Sequence, residues 1–372
     1  MLDPDIPALI LAPMQGVTDA PMRALQGELG AFTFAVSEFA RVSQEAVPKR
    51  VFRRHVPELE AGAKTPTGLP VQVQLLGGDP DLMARSAVNA CEAGATAIDI
   101  NFGCPAPTVN RNDGGATLLK YPARIRDIVR AIREAIPLSV PVSAKLRLGW
   151  DSLDAIYENA QMAAEGGASW ITIHGRTRVA GYAPPAYWNP IGQVREQVGI
   201  PVVANGDIWT LDEFHRCQDE TGCCHFMLGR CAMADPRLSH QIARELGLLS
   251  SLSPASSDSL APLFPAPAEE RETIKEREEM EETSTPCDWI PRLQRLMHWM
   301  RFYGGIPDGP TLQRLKQWLR MASHHDGFDG FEQVKRAETI AELFAILAAM
   351  AFTLEFTIES RTAVSTASDR GD

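Results

Sequence analysis

Short apolar or β-branched runs recur from residue 9 to residue 230, each followed by a stretch long enough to hold a helix. They are LILAPM (core at 10–14), FAVSEF (34–39), PVQVQLL (70–76), AIDINFG (97–103), VSAKLRLG (142–149), WITIHGR (170–176), PVVANGD (201–207) and HFMLGR (225–230). The stretches between them carry helical periodicity, as in LMARSAVNACEAGA from Leu82 and RIRDIVRAIREAI from Arg124. Strands alternating with helices predict a parallel sheet, and eight such units close a barrel. The predicted fold is therefore α/β, a TIM (β/α)8 barrel followed by a smaller C-terminal helical domain.

Barrels of this kind place their chemistry at the carboxyl ends of the strands. Those ends here carry Glu38, Gln74, Asn101, Lys145, His174, Asn205, Asp207 and Arg230. Any one of them is explained as well by a helix cap or a satisfied loop carbonyl. Their recurrence on nearly every strand points instead to a site. The last two strands end in Asn205-Gly206-Asp207 and Gly229-Arg230, where glycine lets backbone N–H groups approach a phosphate and arginine adds charge. No GxGxxG follows a strand, so a mononucleotide such as FMN fits better than a dinucleotide. Gln74 suits the polar edge of a flavin ring. Lys145 suits either the anion of the reduced ring or an ion pair with Glu38 or Asp99.

Composition narrows the partners. The net charge of −11 argues against indiscriminate coating of nucleic acid. Seven cysteines without repeated spacing fit a reducing, cytoplasmic compartment, and Cys217, Cys223, Cys224 and Cys231 lack the paired spacing of a zinc site, so no metal is expected. No basic signal flank and no membrane-length apolar run is evident; the nearest, Leu343 to Thr353, reads as a buried helix. The expected organisation is a barrel over 1–246, a linker over 247–286, a helical domain over 287–360 and a disordered tail over 361–372. The linker joins a Ser/Pro-rich segment to AEERETIKEREEMEET, which concentrates negative charge away from the barrel.

Basic groups cluster elsewhere. Arg41, Lys49, Arg50, Arg53, Arg54 and His55 follow the second strand, and Arg292, Arg295, Arg301, Arg314, Lys316 and Arg320 alternate with Trp299, Phe302, Tyr303 and Trp318 near the C-terminus. That alternation suits phosphates and unstacked bases. The spacing of Leu293, Leu296, Met297 and Met300, and of Leu312, Leu315 and Leu319, equally predicts an amphipathic bundle.

The motifs LAPMQGVTD, SEF, VQLLG, Asp99-x-Asn101-x-Gly103-Cys104-Pro105, KLRLGWDS, HGRT, ANGDIW and LGR occur in that order, with LKQWLR further on. In this the chain resembles the tRNA-dihydrouridine synthases, most closely their bacterial C-type branch. The resemblance implies an FMN enzyme that uses NADPH, or NADH, to reduce a tRNA uridine to 5,6-dihydrouridine at position 16; a cytoplasmic monomer is the expectation. It implies flavin contacts at Ala12, Pro13, Met14, Gln74, Lys145, His174, Asn205, Gly206, Asp207, Gly229 and Arg230. It implies tRNA contacts at Arg41, Asn101, Arg147, Arg176, Arg314 and Lys316, and a catalytic acid at Cys104. Departures from the family pattern are Gln15, Arg111 and Asp113.

A thiol suits that acid role. Reducing the C5=C6 bond of uracil brings hydride to C6 and a proton to C5, and a thiol of ordinary pKa, about 8.5, is protonated at neutral pH yet gives its proton up readily. No histidine lies in the loop to make it a nucleophile. Gly103 is expected to supply an unusual backbone angle and Pro105 to fix the next one. Two other readings remain open at this point, a flavin barrel acting on a free pyrimidine in the manner of dihydroorotate dehydrogenase, and a non-catalytic RNA-binding barrel.

Overall fold

The structure, a computed structural model, describes residues 2–249 except 112, and 289–350 except 306 and 326. Its strands are β1 (Ala8–Leu11), β2 (Phe34–Arg41), β3 (Val71–Leu76), β4 (Ile98–Asn101), β5 (Val142–Arg147), β6 (Trp170–His174), β7 (Val202–Asn205) and β8 (His225–Leu228). All pair in parallel, and the pairing of Ala8 with His225 through Leu11 with Leu228 closes the barrel. Every predicted run holds a strand. The runs are nearly continuous in apolar residues because helices cover the outer face while the barrel fills its own interior.

That interior is divided. Ala8, Ile10, Ala12, Phe34, Val36, Trp170, Val203 and Met227 form an apolar plug, with Phe34 and Trp170 edge to face at 6.1 Å. The β3–β5 side instead holds a buried polar chain, Gln72, Ser143, Asp99 and Gln74. A register shift between Val36 and Phe39 bends β2 and sets Glu38 at the bend, where its carboxylate accepts from the Gly16 N–H.

Local sequence fixes the covering helices. Asp19, Asp79 and Thr210 cap theirs by accepting from Met22, Leu82 and Glu213 N–H groups. The predicted helix from Arg124 is Pro122–Ala135, and it buries Ile125, Ile128, Val129 and Ile132 on one face. The basic segment after β2 is also helical, over Lys49–His55.

The chain divides into two compact units. The first spans Met1–Ala232 and Pro236–Ser251; the second takes Met233–Asp235 and the chain from Leu252. In the second, helices Trp289–Phe302 and Asp308–Ser323 and a helical run over 340–350 bury Leu293, Leu296, Met300, Leu312, Leu315, Leu319, Leu343 and Leu347. Trp289 and Trp318 meet edge to face at 5.2 Å, and their indoles donate to the Gly327 and Met233 carbonyls. The amphipathic reading therefore accounts for two aromatics assigned above to base stacking: Trp299 and Trp318 are buried, whereas Phe302 is 60% exposed. The acidic stretch at 268–283 and the tail at 361–372 lie outside the described residues. No described helix is long and apolar enough to cross a membrane.

Candidate active site

The loop after β4 is fastened from three directions. The Asn101 side-chain oxygen accepts from the backbone N–H groups of Gly103 at 3.0 Å and Cys104 at 2.8 Å. The Cys104 carbonyl accepts from Ala116 N–H at 3.1 Å. From β5, Arg147 donates Nε–H to the Gly103 carbonyl at 2.8 Å, and its Nη1 donates to the carbonyls of Thr177 at 3.1 Å and Gly181 at 2.8 Å. One buried guanidinium thus ties the Cys104 loop to the loop after β6.

The glycine expectation needs correcting. Gly103 does not adopt a left-handed angle, and a side chain there would meet Arg147 Cγ at 3.4 Å, an ordinary contact. The special angle belongs to Gly115, with φ of 60°, where a Cβ would lie 2.9 Å from Val109 Cγ1, 3.0 Å from the Cys104 carbonyl oxygen and 3.1 Å from Cys104 Cβ. The backbone passes close beneath the cysteine only because that position has no side chain.

The Cys104 thiol is half-buried. Burial pushes its pKa up, opposed by the Ala106 N–H and by the charges of Arg147 and Arg41. It remains a protonated acid at neutral pH. Arg41 also donates to the Thr108 carbonyl at 3.3 Å, so it arches over the segment that follows the cysteine.

Cations gather at the ends of β5 to β8. Lys145 donates to Asn205 Oδ1 at 2.7 Å, and Asn205 donates to the Met227 carbonyl at 2.7 Å. Burial and Arg147 bring the Lys145 pKa down to about 7, against the pull of Asp99. Of the two roles open to Lys145, neither carboxylate forms a direct ion pair with it. Burial, then Arg147, Lys145, Arg176 and Arg230, hold His174 well below the usual histidine range, so the ring is neutral. Its Nδ1 is buried and meets no hydrogen-bond partner among the described residues. Asp207, in a left-handed conformation with φ of 46°, pairs with both Arg176 and Arg230. Tyr182, 56% exposed, stands between Arg147 and Arg230, whose guanidinium carbons lie 5.2 and 4.8 Å from its ring centre.

The remaining residues join this well. Gln74 Nε2 donates to Asp99 Oδ2 at 2.7 Å, and Asn101 Nδ2 donates to Gln74 Oε1 at 2.9 Å. Burial raises the Asp99 pKa to about 6, against its bonds to Ser143 and Gln74 and the Lys145 charge. A Cβ on Gly229 would meet Ala12 Cβ and Met14 Sδ, each at 3.4 Å, so the ends of β1 and β8 share one wall; Pro13 lies between Ala12 and Met14 in the chain. Gly206, with φ of 118°, approaches His174 Nε2. The barrel residues singled out in the sequence thus fall around one strand-end region. Arg314 and Lys316 belong to the second unit, where Arg314 donates to Gln317 at 2.7 Å and Lys316 to the carbonyls of Lys335 and Ala337 at 2.7 and 2.5 Å. Sequence reasoning passed over Tyr182, which sits in a loop with no periodicity to mark it, and Gly115, one of several glycines near the cysteine. Among the described residues no group of three or more His, Cys, Asp or Glu side chains is placed to hold a metal.

Comparison with known proteins adds to this geometry. Residues 10–254 match the family described as dihydrouridine synthase. A tRNA-dihydrouridine(16) synthase of Shewanella oneidensis is 49% identical over 234 residues, 63% of this chain and 74% of the relative. Another, of Neisseria meningitidis serogroup A, is 47% identical over 234 residues, 63% of this chain and 70% of the relative. Among solved structures, a 2-naphthoyl-CoA reductase complex superposes with a TM-score of 0.50 at 11% identity, covering 64% of this chain and 50% of that one, a likeness of fold alone.

Proposed function

The chain belongs to the dihydrouridine synthase family, and from that premise we propose that it reduces the uridine at position 16 of tRNA, with FMN as bound cofactor and NADPH as reductant. The observation that carries this reading is a half-buried, protonated Cys104 thiol held beside a well of four cations.

The well fits FMN. Lys145, Arg147, Arg176 and Arg230 crowd a neutral imidazole, and the carboxylates that act on them are Asp99 beside Lys145 and Asp207 beside Arg176 and Arg230. Like charges this close raise the free energy of the protein alone, and an anionic ligand offsets that cost. The unpartnered Nδ1 of His174 is a further group that such a ligand could satisfy. Arg230, Gly229 and Gly206 would hold the phosphate, and Lys145, Gln74 and Asn205 the ring. FMN, when bound, supplies the hydride that adds to C6 of the uracil.

The chain's own residues do the rest. Cys104 Sγ releases its proton to C5. Asn101 and Arg147 hold the cysteine backbone so that the sulfur's position is set before the base arrives. Arg147 and Arg176 act on tRNA through the loops they brace, since both guanidiniums are buried and bound to protein partners. Arg41, exposed at the rim and bonded through Nη2 to the Thr108 carbonyl, would face phosphate with the rest of its guanidinium. A base stacked in tRNA must swing out to reach a barrel mouth, at lower cost from a loop.

The test is reconstitution. The FMN-loaded protein, given NADPH and an unmodified tRNA, is expected to produce dihydrouridine at position 16, and the same position is expected to lack it in tRNA from cells without the protein. Dihydrouridine at another position would overturn the site assignment, and turnover of free pyrimidines without tRNA would overturn the substrate.

A further inference from the structure

The polar chain inside the barrel has a direction. Its centre is Asp99, flanked in register by Gln74 on β3 and Ser143 on β5. Both neighbours donate to it: Ser143 Oγ to Oδ1 at 2.5 Å and Gln74 Nε2 to Oδ2 at 2.7 Å. Ser143 in turn accepts from Gln72 Nε2 at 2.9 Å. An ionised carboxylate only accepts, whereas a primary amide both donates and accepts. With Nε2 of Gln74 turned to the carboxylate, its Oε1 must face Asn101 and receive that residue's Nδ2. The oxygen of Asn101 is then the end that meets the Gly103 and Cys104 N–H groups.

We propose that Asp99 is a positioning residue for the reaction: as an acceptor with two donors, it fixes the orientation of the Gln74 and Asn101 amides and so the placement of the Cys104 backbone. Its carboxylate needs no contact with substrate. It acts through two amides, each of which transmits polarity because turning either one end for end sets donor against donor or oxygen against oxygen. Buried networks of this kind hold a unique arrangement only when every member is satisfied. The consequence for turnover rests on Cys104 being the proton donor; the consequence for the loop does not.

Asp99→Asn changes the polarity with little change of shape. Whichever way the introduced amide turns, one donor of the chain loses its acceptor: with Nδ2 toward Gln74 two N–H groups meet, and with Nδ2 toward Ser143 the hydroxyl must accept and its own hydrogen is left without a partner. Combining it with Gln74→Glu moves the acceptor one link along the chain, where it can receive from the amide at 99 and from Asn101 Nδ2. Ser143→Ala removes a different bond to the same carboxylate and leaves the direction of the chain intact. Amide hydrogen exchange at Gly103 and Cys104, measured in the FMN-loaded full chain, reports the loop directly. Losing about one hydrogen bond's net worth should speed exchange about tenfold in D99N, with the D99N/Q74E pair returning to within about threefold of the parent and S143A unchanged. Uridine turnover at saturating tRNA should fall about tenfold in D99N while KM for tRNA moves less than about twofold; the D99N/Q74E pair is read by exchange alone, because Gln74 also faces the flavin. Parent-like exchange in D99N, a pair no better protected than D99N, or an S143A variant as loose as D99N would each overturn the proposal. Should D99N fail to fold, the pair and S143A still decide it. An active Cys104→Ala variant would sink the proton-donor reading and leave the exchange result standing.

Discussion

At Cys104, one side chain has to keep a proton in water-accessible surroundings and yield it to carbon. Partial burial raises the thiol pKa, while Arg147 and Arg41 limit the rise. The proton is therefore bound throughout the neutral range, and donor capacity falls only as pH rises through the elevated value. Cys104→Ala should leave FMN reduction by NADPH nearly intact and cut dihydrouridine formation by about 10²- to 10⁴-fold, the usual worth of a placed general acid; stopped-flow flavin absorbance and product mapping separate the two half-reactions, and equal loss in both would refute the assignment. Lys145 makes the opposite adjustment. Burial and Arg147 bring it to about pH 7, so in the free protein at pH 8 it is mostly neutral. An anionic ligand beside it favours the charged form, so FMN binding at pH 8 should take up a proton, read by calorimetry as a binding enthalpy that depends on the buffer. Buffer-independent enthalpy would place the flavin away from Lys145. Lys145 stood out in the sequence at a strand end and Cys104 through the motif that carries it; their pKa shifts did not, because burial and the facing charges arise only when the barrel closes.

The strands were the most legible elements, each an apolar run bounded by a polar end, because a closed parallel barrel buries both faces of every strand. What the strand ends do with one another was less legible. Arg147 looked like an RNA contact on motif grounds, yet its three carbonyl partners lie in loops 30 or more residues away in sequence for Thr177 and Gly181, and 44 away for Gly103. Gly103 drew attention as the cysteine's neighbour, while the conformational demand falls on Gly115. Gly115→Ala should therefore displace the Cys104 loop: a left-handed angle costs an alanine about 1 kcal/mol, and the contacts with Val109 and Cys104 add to it. The expected result is a folded protein with lowered Tm and dihydrouridine formation reduced more than FMN reduction. Gly103→Ala, with only an ordinary contact to Arg147, is the milder change; the reverse ranking would reassign the hinge of this loop.

For the molecule as a whole, the question is how a chain of net charge −11 holds a polyanion. The stretch at 268–283 carries eight glutamates against Arg271, Lys275 and Arg277, so much of the excess is confined to one segment. In the second unit the apolar faces pack together and buried Trp299 and Trp318 serve the core, leaving Arg301, Arg320 and Phe302 exposed. Lys316 is spent on the Lys335 and Ala337 carbonyls, so its removal confounds folding with binding. Arg314, half-buried and bonded to Gln317 on its own helix, is the residue to test. If its charge meets a phosphate, Arg314→Ala weakens tRNA binding and lowers the slope of log K against log salt by about 0.7 to 0.9, the release of one condensed counterion. The measurement is a tRNA titration at several salt concentrations, with flavin content and Tm matched to the parent. A slope that stays at the parent value, even with weaker affinity, would mean that this guanidinium shapes the helix surface and that the phosphates are held by other cations, with Arg301 and Arg320 next to be tested in the same way.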